Sequence, residues 1–118
     1  MVSLSIPVAP QSANVLLRSH WSKQRKEVQR WGKLIAAYNP GKWQEALPVK
    51  ATVQFTIYRK RLLDEDNATA ALKPCIDAMC KLRFLSGDSP RWLNLKKPRQ
   101  IRSIVPRTEI RITYMGET

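Results

Sequence analysis

Between Val49 and Tyr58 the chain alternates strictly. Val49, Ala51, Val53, Phe55 and Ile57 are apolar, and Lys50, Thr52, Gln54, Thr56 and Tyr58 stand between them. Successive strand side chains point to opposite faces, so this pattern predicts a strand with one face buried. The opening VSLSIPVA alternates more weakly and is closed by proline, which predicts a first strand followed by the loop PQSANVLLR. From Ser19 the period changes: Val28, Trp31, Leu34, Ile35 and Tyr38 recur at helical spacing, with Lys23, Arg25, Lys26, Arg30 and Lys33 at other positions, until Asn39-Pro40-Gly41 stops the run.

A second helix is expected from Asn67 to about Phe84, with Leu72, Ile76, Met79 and Cys80 on one side. Pro74 must either kink it or mark its true first turn. Trp92 to Lys97 and Thr108 to Met115 read as closing strands, the latter alternating Ile110, Ile112 and Tyr114 against Glu109, Arg111 and Thr113. The expected order is β-α-β-α-β-β in one domain spanning residues 1–118. That order predicts an α+β fold with two helices on one face of a mixed sheet. The basic stretch KKPRQIRSIVPR between the last strands is a candidate for disorder or for contact with a partner.

A chain of 118 residues supports one core, and its 43% apolar and 25% charged residues match an ordinary globular domain. No run reaches the ~18 apolar residues of a membrane span. The N-terminus lacks the basic start and long apolar stretch of a secretory signal, so a soluble, cytoplasmic protein is expected, with no membrane partner. Cys75 and Cys80 fit neither a local disulfide nor a CxxC motif, and read as small buried hydrophobes.

Charge changes the picture most. Twenty-one Lys and Arg against nine Asp and Glu leave a formal +12. Nucleic acid is the expected partner of such a surface, through phosphate neutralisation. The basic residues are spread along the chain instead of gathered on one amphipathic helix, which disfavours a lipid surface. Candidate DNA contacts are Arg18, His20, Lys23, Arg25, Lys26, Arg59, Lys60, Arg61, Lys96, Lys97 and Arg99. His20 has no histidine partner and is a poor metal ligand.

Against this basic background, five of the nine acids (Asp64, Glu65, Asp66, Asp77 and Asp88) fall between residues 64 and 88. If LDEDN is extended, Asp64 and Asp66 share one face about 6.5 Å apart. Two such charges repel by about 3 kcal/mol at an effective dielectric near 20, so a cation or a raised pKa must relieve them. All-oxygen donors favour Mg²⁺ or Mn²⁺, ions that activate water and stabilise leaving oxygens in phosphate chemistry. The alternative is structural: Asp66 or Asn67 caps the following helix, where an acid meets the positive end of the helix dipole.

Read as a unit, LLDEDNATAALKPCIDAMCKLRFLSGDSPRW resembles the catalytic segment of RusA-type Holliday junction resolvases, particularly the longer-spaced phage and prophage forms. The matching residues are Asp64-Glu65-Asp66-Asn67, Lys73 with Asp77, and Gly87-Asp88, and NVLLRSHWSKQRK is similar to the family's basic segment before its first helix. The resemblance implies a Mg²⁺-dependent endodeoxyribonuclease, Mn²⁺ being a possible substitute, that hydrolyses branched DNA during recombination and repair. It assigns Asp64, Asp66 and Asp88 to the metal and Lys73 to the scissile phosphate. Asn67 is then expected to orient the turn, and Asp77 to pair with Lys73. Two departures stand out. Gly87-Asp88 replaces the family's adjacent aspartates, and the Asn67 to Asp77 interval is longer than in its shortest members. A catalytically weak or inactive DNA-binding protein of the same fold is the alternative. Because a four-way junction is cut on two strands, a homodimer is expected, with an exposed strand or the faces of Trp43 and Trp92 as candidate contacts.

Overall fold

The computed structural model describes residues 2–12, 21–39 and 49–115. Its elements are β1 (Val2–Ile6), α1 (Trp21–Ala37), β2 (Ala51–Arg59), α2 (Glu65–Ala70), α3 (Lys73–Lys81), β3 (Leu93–Leu95), β4 (Arg99–Arg102) and β5 (Arg107–Tyr114). The fold is α+β with a mixed sheet, as the alternation and helical spacing predict, and the sheet has five strands where four are expected.

β2 pairs with three other strands. On one side β5 runs antiparallel to it, from Ala51 opposite Tyr114 to Tyr58 opposite Arg107. β1 then pairs antiparallel with β5. On the other side β3 and β4 both run parallel to β2, at Ala51–Val53 and at Thr56–Arg59 respectively. The alternation sends Val53, Phe55 and Ile57, with Leu4, Ile6, Ile110 and Ile112, into one core. There they meet Trp31 and Ile35 of α1, and Cys75, Ile76 and Met79 of α3. The polar phase of β2, Thr52, Gln54, Thr56 and Tyr58, points to the other side of the sheet and is half-buried.

Two expectations require correction. The single helix from Asn67 to Phe84 is two helices, because Pro74 has no N–H to donate and a ring that suits only a helix's first turn; it sits in the first turn of α3. α3 ends in a Schellman closure, with Phe84 N–H donating to Met79 O at 3.0 Å and Arg83 N–H to Cys80 O at 3.1 Å. Arg83 takes the left-handed conformation such a closure requires, at φ 67°.

The second correction concerns KKPRQIRSIVPR, which contains a strand, β4. Pro98 has no N–H and splits this edge of the sheet into two short strands. Around the gap, Lys96 N–H donates to Val53 O at 3.0 Å, and the Gln54 side chain donates to Lys97 O at 2.9 Å. Only Ile101 among the four β4 residues is apolar, so no hydrophobic alternation marks it in the sequence.

Beyond β1, the chain is fastened to the sheet by Thr108, whose fully buried hydroxyl donates to Val8 O at 2.6 Å. Thr108→Val keeps the shape but removes that donor. It is expected to lower unfolding stability in urea by about 1–3 kcal/mol.

Candidate functional site

The acidic segment leaves the sheet at the carboxyl end of β2. Asp64 is the N-cap of α2, in extended conformation, and its carboxylate accepts the Asn67 N–H at a long 3.4 Å. Glu65 and Asp66 form the first helical turn. The expectation that LDEDN is extended, with Asp64 and Asp66 alternating onto one face, therefore does not hold. Acids are favoured at a helix N-terminus by the backbone dipole and free N–H groups, and that local preference makes the segment helical from Glu65 onward. Capping falls to Asp64, not to Asp66 or Asn67 as the structural alternative had it.

The start of this segment is tied down by the edge strand. The Leu63 N–H donates to Gln100 Oε1 at 3.0 Å, and Gln100 Nε2 donates to Leu63 O at 2.8 Å. Lys97 pairs with Glu65. Nothing in the composition of a basic stretch singles out Gln100.

Lys73 is the centre of the second cluster. Standing first in α3, it donates through Nζ to Asp77 Oδ1 and to Asp88 Oδ2, each at 2.8 Å. Asp77 lies one turn along the same helix, as the spacing predicts, whereas Asp88 arrives from beyond the Schellman closure. The side chains of Lys73, Asp77 and Asp88 are 61%, 33% and 50% exposed, so the cluster is open to a ligand from solvent. The hydrogen bonds to Asp77 and then to Asp88 raise the Lys73 ammonium well above its usual range, and the hydrogen bond that Lys73 donates holds Asp88 below the ordinary carboxylate range. The pairing thus favours the charged forms of Lys73 and Asp88.

Beside them Val28, Asp77, Cys80, Lys81, Gly87 and Asp88 line a shallow depression of about 320 Å³. Burial, then the Asp88 and Asp77 charges, push the Cys80 thiol up, and burial alone pushes Cys75 up. Both cysteines are free; Cys75 is buried, in accord with its reading as a small buried hydrophobe, whereas Cys80 is half-buried at the edge of the depression.

The departure at Gly87 has a steric cause. A Cβ built there would stand 2.8 Å from Cδ1 of Trp92, closer than real side chains approach. The indole, itself covered by the Arg91 guanidinium at 4.9 Å from the ring centroid, fills the space a second aspartate would need.

Among the described residues, no three His, Cys, Asp or Glu side chains are grouped so as to hold a metal ion. The chemistry of Asp64, Asp66 and Asp88, all oxygen donors, suits Mg²⁺ or Mn²⁺. Their arrangement does not, because Asp88 is engaged by Lys73 and Asp64 by its own helix.

Of the expected DNA contacts, Lys23, Arg25, Lys26, Lys60, Arg61, Lys96, Lys97 and Arg99 are exposed. They do not share one face: Arg99 is paired in register with Thr56 on the open side of the sheet, and Lys23 to Lys26 lie on α1 in the helical layer. Arg59 is a correction. It continues the buried phase of β2, is 8% exposed, and donates to Pro10 O at 3.0 Å, so it is not available to a phosphate. Burial lowers its pKa. Arg18, His20 and Trp43 lie outside the described residues.

Two outcomes follow. Because Asp88 is depressed in the folded state, its ion pair contributes stability above the ordinary carboxylate pKa and loses it as pH falls through the folded value. An NMR titration should place the Asp88 midpoint below that of an exposed aspartate, and Lys73→Met should bring it back up. An unmoved midpoint would show that the contact is not kept in solution. Gly87→Ala is expected to cost about 1–3 kcal/mol and to change Trp92 fluorescence.

Compared with known proteins, the chain matches no family model and no curated sequence. No helix among the described residues is long and apolar enough to cross a membrane.

Proposed function

We propose that this chain is a RusA-like endodeoxyribonuclease that cuts Holliday junctions or related branched DNA as a homodimer. The observation that carries the proposal is the Lys73 clasp. The resemblance rests on residues from separate stretches of the chain, and Lys73, Asp77 and Asp88 among them meet through two 2.8 Å hydrogen bonds on an exposed surface. A charge of +12 supports a polyanionic substrate.

In this role Lys73 offsets negative charge on the phosphate as the P–O bond breaks, and Asp77 and Asp88 keep its ammonium protonated and aimed. A divalent ion, when bound, would supply an activated water. As the side chains stand, Asp64, Asp66 and Asp88 do not form a site for it. In a homodimer, Ile104 and Val105, 88% and 69% exposed between β4 and β5, offer apolar surface for contact between copies.

One observation favours a second reading. Lys73 already neutralises Asp88, and Trp92 fills the place of a second aspartate, which suits a protein that binds branched DNA without cutting it.

A synthetic four-way junction separates the two, with linear duplex as the comparison and Mg²⁺ or Mn²⁺ titrated from zero. Paired symmetric nicks are expected, reduced about 10²-fold or more in Lys73→Met and in Asp66→Asn. Tight binding with no nick at any metal concentration would leave the binding reading in its place. Affinity should fall by about 10³-fold or more between 50 and 200 mM salt if roughly six phosphates are contacted, and a flat profile would count against both.

A further inference from the structure

The face of the sheet turned away from the helices is built from other residue types than the core. In register across it, Ser3 lies beside Arg111 and Gln54, Ser5 beside Glu109, Thr56 and Arg99, and Arg107 beside Tyr58 and Ile101. Ile101 is the one aliphatic side chain in these three rows. Ser5, Thr56, Tyr58, Arg99 and Arg111 are among the residues lining a groove of about 550 Å³ that runs across β1, β5, β2 and β4, a volume in the range of ligand sites. The one carboxylate of the rows, Glu109, is paired with Arg107 at 2.8 Å, and the Arg107 guanidinium lies over the Tyr58 ring, 4.2 Å from its centroid. Arg99 and Arg111 are exposed on the same face.

We propose that this face binds an unpaired nucleic-acid strand, its bases stacked on the Tyr58–Arg107 pair and its phosphates held by Arg99 and Arg111. The surface is separate from the Lys73 clasp, which α3 carries in the layer on the other side of the sheet. Aromatic rings and guanidinium planes stack on any base, and the guanidinium fork suits phosphate oxygens. Four strands side by side give a platform of the width on which two or three unpaired bases are held. A second copy of the chain fits the face poorly. An isologous contact sets a surface against itself, so arginines would meet arginines with almost no aliphatic area to bury.

Labelled oligothymidine, added to the full chain without metal, tests this by fluorescence anisotropy. Tyr58→Leu is expected to weaken binding about tenfold or more, the loss of one stacked base. Arg111→Gln should weaken it too and lower the log–log salt slope by about 0.7, whereas Lys33→Gln, which removes the same charge from α1, should leave affinity within about threefold. NMR maps the site independently of any variant: the Ser5, Thr56 and Arg111 amides should shift on titration, with the Ile76 amide in α3 unmoved. Oligothymidine that fails to bind, or shifts confined to the helical layer, overturns the proposal. So do equal losses in Arg111→Gln and Lys33→Gln. A dimer whose formation on concentrating the protein alone moves the same amides would give the face to a second copy instead. Cleavage enters neither measurement, so the nuclease reading can fail while this one stands.

Discussion

Strand β2 constrains everything else in the molecule. It is hydrogen-bonded to β5 along one edge and to β3 and β4 along the other, so its register fixes which side chains of four strands face the helices. A slip by one residue would turn Val53, Phe55 and Ile57 to the open side and Thr52, Gln54 and Thr56 into the core. The segment leaving its carboxyl end carries the acids, and the parallel strands beside it return the chain to that same edge. The candidate site is thus attached to the best-determined element of the fold.

Charge is arranged on a different scale. The chain as a whole is strongly basic, yet around Lys73 two carboxylates surround one ammonium, a local excess of negative charge. A lysine at the first position of a helix faces the unfavourable end of the dipole, and Asp77 and Asp88 offset that. Their partial exposure leaves the cluster screened by water, so its worth lies in fixing the geometry of three groups more than in overall stability.

The sequence made some of this plain and hid the rest for physical reasons. Alternation in β2 and β5, and the helical stripe of α1, are produced by burial on one face, and Trp31, Ile35, Phe55 and Ile112 are buried as their spacing requires. Arg59 was legible too: it falls in the buried phase of β2, but its charge type outweighed its position. β4 was not legible, since an edge strand of four residues needs no apolar face. The acidic turn departs from its expected extended form because helix capping, a preference of single residues for the dipole's positive end, makes the chain helical from Glu65 onward. Pairing of Lys73 with Asp77 follows from helical spacing, but its contact with Asp88 depends on a reversal of the chain at Arg83 that no local pattern announces.

The fit between Gly87 and Trp92 ties two positions together in descent. An ancestor or descendant bearing aspartate at 87 must carry something smaller than an indole at 92, or a displaced β3, because both cannot occupy the same volume. The order of change is therefore set: the indole at 92 gives way first, and only then is position 87 open to a side chain.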